Sequence, residues 1–124
     1  PFIPAELVFG ARGTFFARSL DVEMSVSQEV LVEAARHKGT SVVELLQNCV
    51  IFNNNIHSYV VDKEFRADRT VHLRHGEKMI FGKDNNRGLV LDGYKLKAVT
   101  IGENGVTLDD ILVHDAKSPD NFLR

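Results

Sequence analysis

The chain carries one cysteine, Cys49, in the stretch Gln47-Asn48-Cys49-Val50-Ile51-Phe52-Asn53, just past an apolar run and beside two amides and an aromatic ring. A thiolate can serve as a nucleophile or as a soft metal ligand. One thiolate cannot complete a structural zinc site or a four-iron cluster, because each takes about four ligands. If Cys49 binds a metal, most of the ligands lie outside this chain. As a nucleophile it would need a base, and His57 follows eight residues later. Cys-His enzymes, however, draw those two residues from distant segments, so closeness in sequence is no guide to geometry. The bland reading is that a lone cysteine next to a strand is a small buried hydrophobe.

The remaining candidates are weaker. His37 suits the basic last turn of a helix, and His72, His75 and His114 lack the spacing of a metal-ligand set. Gly10-Ala11-Arg12-Gly13 is too short for a dinucleotide fingerprint, which leaves Arg12 as a bare anion contact. Glu44 interrupts an apolar run, so it must reach solvent or pair, for example with Arg18 on the preceding strand.

Composition limits what surrounds these residues. A chain of 124 residues is about the size of one domain, and 44% hydrophobic with 26% charged residues is ordinary for a globular protein. No apolar run reaches the roughly 18 residues of a membrane span. A net charge of -2 without a basic block argues against nucleic acid and anionic membranes as partners. A single cysteine excludes an internal disulfide framework, and the N-terminal residues lack signal-peptide order, so the cytoplasm is the expected compartment.

The elements that must position Cys49 read as alternating helix and strand. Pro4 to Phe9 opens on a proline suited to a first helical turn, and Gly10 and Gly13 end it. Thr14 to Ser19 is β-branched and aromatic, a buried strand. From Ser25 or Ser27, Val30, Leu31, Ala34 and Ala35 recur at helical spacing, and Ser25 with Gln28 fits a capping box. His37, Lys38 and Gly39 close that helix. Thr40 to Leu46 reads as a central parallel strand. Strand, helix and strand form a β-α-β unit, and ligands of open parallel sheets gather beyond the carboxyl ends of the strands, where Cys49 sits.

Beyond about residue 60 the pattern changes to short strand-like runs at 71–73, 79–81, 89–91 and 96–101, broken by glycine turns. Asp92-Gly93 is a two-residue hairpin signal of the type I′ kind. Thr107 to Leu112 predicts a short capped helix, and the tail from Ser118 to Arg124 has no strong pattern. The expected class is α/β: a parallel sheet unit over 1–60, followed by a small antiparallel β-rich region over 61–124.

Four stretches taken together resemble a known family. They are Gly10-Ala11-Arg12-Gly13-Thr14-Phe15-Phe16-Ala17-Arg18, Lys38-Gly39-Thr40-Ser41-Val42-Val43-Glu44, the cysteine motif Gln47 to Asn53, and His75-Gly76-Glu77-Lys78-Met79-Ile80-Phe81-Gly82-Lys83, with Leu112-Val113-His114-Asp115 as a late element. The chain resembles the C-terminal portion of the beta subunit of 2-oxoacid:ferredoxin oxidoreductases, most nearly the 2-oxoglutarate type. The resemblance implies a thiamine-diphosphate-binding-type sheet. It implies an enzyme that uses thiamine diphosphate, magnesium and a 4Fe-4S cluster to convert a 2-oxoacid and coenzyme A to acyl-CoA, with electrons passed to ferredoxin. Within that pattern Cys49 matches the fourth cluster cysteine, and Asn48 and Asn53 stand where they could tune its sulfur.

The departures are equally specific. The family's Gly-Asp-Gly element, its asparagine-rich diphosphate segment and its first three cluster cysteines do not occur here, and Asn53-Asn54-Asn55 follows the cysteine rather than preceding Gly10. The chain is therefore expected to be an interior piece. It should lack turnover and bound cofactor alone, need the N-terminal part of the same subunit and an alpha subunit, and self-associate through uncovered apolar faces. The alternative is a non-catalytic protein interaction module with a structural Cys49.

Overall fold

The computed structural model describes residues 2–120 and divides the chain into two compact units, 1–61 and 62–124. The first unit runs α1 (Pro4–Gly10), β1 (Phe15–Leu20), α2 (Met24–Arg36), β2 (Ser41–Leu46) and α3 (Ser58–Val61). The two strands pair in parallel, Phe15 opposite Ser41 through Leu20 opposite Leu46. Helix α2 connects them, as a parallel pair demands. It turns Val26, Ser27, Val30 and Ala34 inward, at helical spacing, and leaves Met24, Leu31 and Val32 exposed.

The start of α2 departs from the sequence expectation. Glu23 is the N-cap residue, no side chain caps the helix, and the Ser25–Gln28 capping box is absent. Ser27 is buried instead. Its hydroxyl donates to the Leu20 carbonyl at 3.1 Å and accepts from Ser19 Oγ at 3.0 Å. A buried hydroxyl without partners is costly, so this knot specifies where α2 lands on the carboxyl end of β1. Arg18 and Glu44 face each other in register, and Arg18 Nε donates to Glu44 Oε2 at 2.7 Å, the expected pairing. Solvent reaches both side chains, so the pair contributes at most about 1 kcal/mol. Among the described residues β2 has one strand neighbour, β1, rather than the two of a central strand.

At the opposite end of these strands, Thr14 Oγ1 lies 2.8 Å from His37 Nε2, and the His37 ring packs beside Phe15. Gly39, at φ 146°, passes so close that a Cβ there would strike both Thr14 and His37. His37 thus closes the amino end of the unit, a strand length of roughly 17–20 Å from the end that carries Cys49.

The second unit runs α4 (Arg66–Arg69), β3 (Ile80–Phe81), β4 (Arg87–Asp92) and β5 (Lys95–Thr100), with a short 3₁₀ turn at Leu108–Asp110. The three strands form an antiparallel sheet in the order β3-β4-β5. Residues 71–73 form no strand, because Thr70 to His75 take no ladder partner that would hold them extended. The β4–β5 hairpin forms, one residue later than Asp92-Gly93 predicts. Asp92 pairs with Lys95, so Gly93 and Tyr94 make the loop. Only Gly93 has positive φ, 63°, which fits a type II′ turn with glycine first rather than type I′. In the 3₁₀ turn the Asp110 carboxylate accepts the Thr107 N–H at 2.7 Å and the Thr107 hydroxyl at 2.8 Å, which holds its carboxyl below the usual range. Ile111 then packs over Gly88, where a Cβ would come within 2.5 Å of Ile111 Cδ1. The unpatterned tail is described as far as Asp120; residues 121–124 lie outside the described residues.

Candidate functional site

Three residues past the carboxyl end of β2 the chain folds into a run of turns from Cys49 to His57. The Asn53 N–H donates to the Cys49 carbonyl at 3.0 Å, closing a tight turn with Val50, Ile51 and Phe52 at its tip. A second lock sits outside it. Asn48 Nδ2 donates to Asn54 Oδ1 at 2.9 Å, and Asn48 Oδ1 accepts the Asn55 N–H at 2.7 Å. Asn55 occupies the left-handed region at φ 60°, which asparagine tolerates better than most residues. These amides exchange hydrogen bonds among themselves and so hold the loop without help from a distant element.

The consequence falls on the sulfur. Backbone N–H groups of Phe52 and then Ile51 point at Cys49 Sγ, with a further contribution from Asn53, and together they pull its pKa below the usual thiol value against the smaller opposing effect of desolvation. None of the lowering comes from an imidazole, so the geometry offers no support for a Cys49–His57 nucleophile and base. Cys49 is a free, half-buried thiol. Val50, Ile51 and Phe52 beside it are 72%, 82% and 90% exposed, an apolar rim around a polarised sulfur. A thiolate held by main-chain donors is the form of cysteine that ligates a soft metal and also the form that acts as a nucleophile.

The other residues singled out by type do not converge on Cys49. His37 is fixed at the amino end of the strands, and Arg12, at φ 58°, lies in the turn before β1. His72, His75 and His114 belong to the second unit. Among the described residues no group of three or more histidine, cysteine, aspartate or glutamate side chains is placed to hold a metal ion. Asn54 and Asn55, which sequence reasoning left without a role, prove to be the partners of Asn48. The signal for them was the Asn-Asn-Asn run itself, since asparagine bonds locally to backbone and tolerates left-handed φ.

Comparison with known proteins places this loop in context. A protein of Mycobacterium tuberculosis named 2-oxoglutarate oxidoreductase subunit KorB is 38% identical over 120 residues, 97% of this chain. The chain is similar along nearly its whole length to that subunit, and over about half of it to a 2-oxoacid:ferredoxin oxidoreductase beta subunit. Subunit beta of 2-oxoacid:ferredoxin oxidoreductase 1 from Aeropyrum pernix is 33% identical over 70 residues, 56% of the chain. The chain spans about a third of the first relative's length, 31%, and the match covers 20% of the second. No family model matches the chain, and no solved structure does. Among the described residues no helix is long and apolar enough to cross a membrane.

Proposed function

We propose that the chain is a portion of a 2-oxoacid:ferredoxin oxidoreductase beta subunit, and that Cys49 supplies one thiolate to a 4Fe-4S cluster whose other ligands come from outside this chain. On this reading residues 1–60 are the C-terminal part of a thiamine-diphosphate-binding domain and residues 61–124 the β-rich C-terminal region. The observation that carries the proposal is the Cys49 loop, in which main-chain N–H groups converge on one sulfur while the surrounding 2–120 offer no competing ligand set.

The residues present fit a single-ligand role. The lowered pKa favours the thiolate form that a metal requires at neutral pH. N–H donors on a ligand sulfur withdraw electron density from it and are one of the protein's means of setting a cluster's potential. The Asn48 lock fixes the N–H groups against the sulfur, and Val50, Ile51 and Phe52 exclude water from its flank once covered. Bound there, with Cys49 as one ligand, a 4Fe-4S cluster would supply one-electron transfer between the 2-oxoacid and ferredoxin. Thiamine diphosphate and magnesium, the alpha subunit and coenzyme A would be engaged by parts of the enzyme beyond this chain, and 2-oxoglutarate is the favoured 2-oxoacid from the KorB likeness.

The thin burial supports the same reading. Among the described residues, Leu20 in the first unit and Ile111 in the second are the buried hydrophobic residues and no large side chain is fully buried, whereas parallel sheets are normally covered on both faces. The test is turnover. The complete subunit assembled with its alpha subunit should reduce ferredoxin in the presence of 2-oxoglutarate and coenzyme A, and Cys49→Ser should abolish that reduction. A wild-type complex that consumes no 2-oxoacid, or a Cys49→Ser complex as fast as wild type, would overturn the proposal.

A further inference from the structure

In the second unit the segments 76–79 and 112–114 lie side by side like two strands. The Gly76 N–H donates to the His114 carbonyl at 2.8 Å, the His114 N–H to the Glu77 carbonyl at 2.9 Å, and the Met79 N–H to the Leu112 carbonyl at 2.8 Å, with Lys78 opposite Val113. The His114 ring is half-buried against this seam. Its Nδ1 is sealed from solvent and has no hydrogen-bond partner. Beside it, His75 Nδ1 lies 3.4 Å from Asp115 Oδ1.

These positions make the two protonation states of His114 unequal. A neutral imidazole tolerates the sealed Nδ1 as a bare acceptor. Protonation puts an N–H there with nothing to receive it, an unmet donor in a place water does not reach. Two charges face the ring. His75 opposes a second positive charge, and Asp115 favours one but is already engaged by His75. The balance lies with burial and then His75, which hold His114 below the ordinary histidine value of 6.5, and Asp115 offsets them only in part.

We propose that the seam between 75–79 and 112–115 is a pH-sensitive latch, closed while His114 is neutral and loosened when it takes up a proton. Because the ring binds its proton more weakly in the closed form, the open form gains the proton first as pH falls. Closure is therefore complete above the ordinary histidine range, weakens as pH drops through it, and goes on weakening down to the depressed value of the closed form. The segment that follows Ile111, which is also tied to β4 where the Leu112 N–H donates to the Leu89 carbonyl at 2.9 Å, would thereby be loosened.

The experiment is amide hydrogen exchange on the whole 124-residue chain between about pH 7.5 and about pH 5, corrected for intrinsic exchange, combined with NMR titration of the histidine rings. Protection at Gly76, Met79 and His114 should be lost toward acid while the β1–β2 amides stay level. In His114→Phe the acid loss should disappear. In His75→Gln, which removes the like charge and leaves Asp115 unengaged, the His114 ring should titrate at higher pH than in the wild type. The His75→Gln titration decides the matter if His114→Phe does not fold. Wild-type protection that is the same at both pH values, an unchanged acid loss in His114→Phe, or a His114 ring unmoved by His75→Gln would each overturn the latch.

Discussion

Cys49 is unusual for its surroundings rather than its rarity. Its sulfur is addressed by the N–H groups of Phe52, Ile51 and Asn53, so its thiolate should persist to lower pH than that of a free cysteine. Alkylation by iodoacetamide, followed against pH, should inflect below the ordinary thiol value, because reactivity tracks the thiolate. Asn48→Ala removes the two hydrogen bonds that hold Asn54 and Asn55. It should move that inflection back toward the ordinary value and cost about 1 kcal/mol of stability. A profile unchanged by Asn48→Ala would mean that the loop holds its shape without the amides. Cys49 itself stood out in the sequence as the candidate metal ligand. Its main-chain donors were not, since the direction of an N–H depends on turn geometry that residue types alone do not specify.

At the scale of elements, the β-α-β unit and the β4–β5 hairpin were both legible from apolar spacing and glycine placement. The boundaries shifted for local reasons. Ser27 was drawn inward by the Leu20 carbonyl and Ser19 instead of capping α2, and the hairpin loop moved to Gly93-Tyr94 because glycine at its first position satisfies a II′ turn alone. Residues 71–73 have strand-like composition without a strand, because β propensity needs a partner to act on. Two substitutions test this packing by chemical denaturation. Ser27→Ala strands the Ser19 hydroxyl in a buried site and should cost about 1–2 kcal/mol. Gly88→Ala drives a Cβ into Ile111 and should cost about 1–3 kcal/mol, with Ile111→Val alongside it recovering part of the loss.

For the whole molecule, the decisive property is how little apolar surface the chain covers by itself. Leu31 and Met24 on α2, Val50 to Phe52 at the cysteine loop and Leu96 on β5 all remain exposed. The chain is similar over 97% of its own length to 31% of KorB, and under the proposed function other parts of the enzyme would cover these faces. Alone, the chain should self-associate in a concentration-dependent manner in sedimentation and should show no 2-oxoacid-dependent turnover; a strictly monomeric chain would count against uncovered faces of this kind. The family likeness was legible from motifs spread along the chain, whereas the absent ligands could only be inferred from what those motifs lack. The central claim is that Cys49 ligates the cluster, and it is tested most directly by anaerobic iron and sulfide analysis with electron paramagnetic resonance on the reduced complete subunit, wild type against Cys49→Ser. A four-iron signal in the wild type that is lost or markedly altered in the variant is the expected result. The same signal in both proteins, or no cluster in either, would contradict it and return Cys49 to the role of a structural thiol.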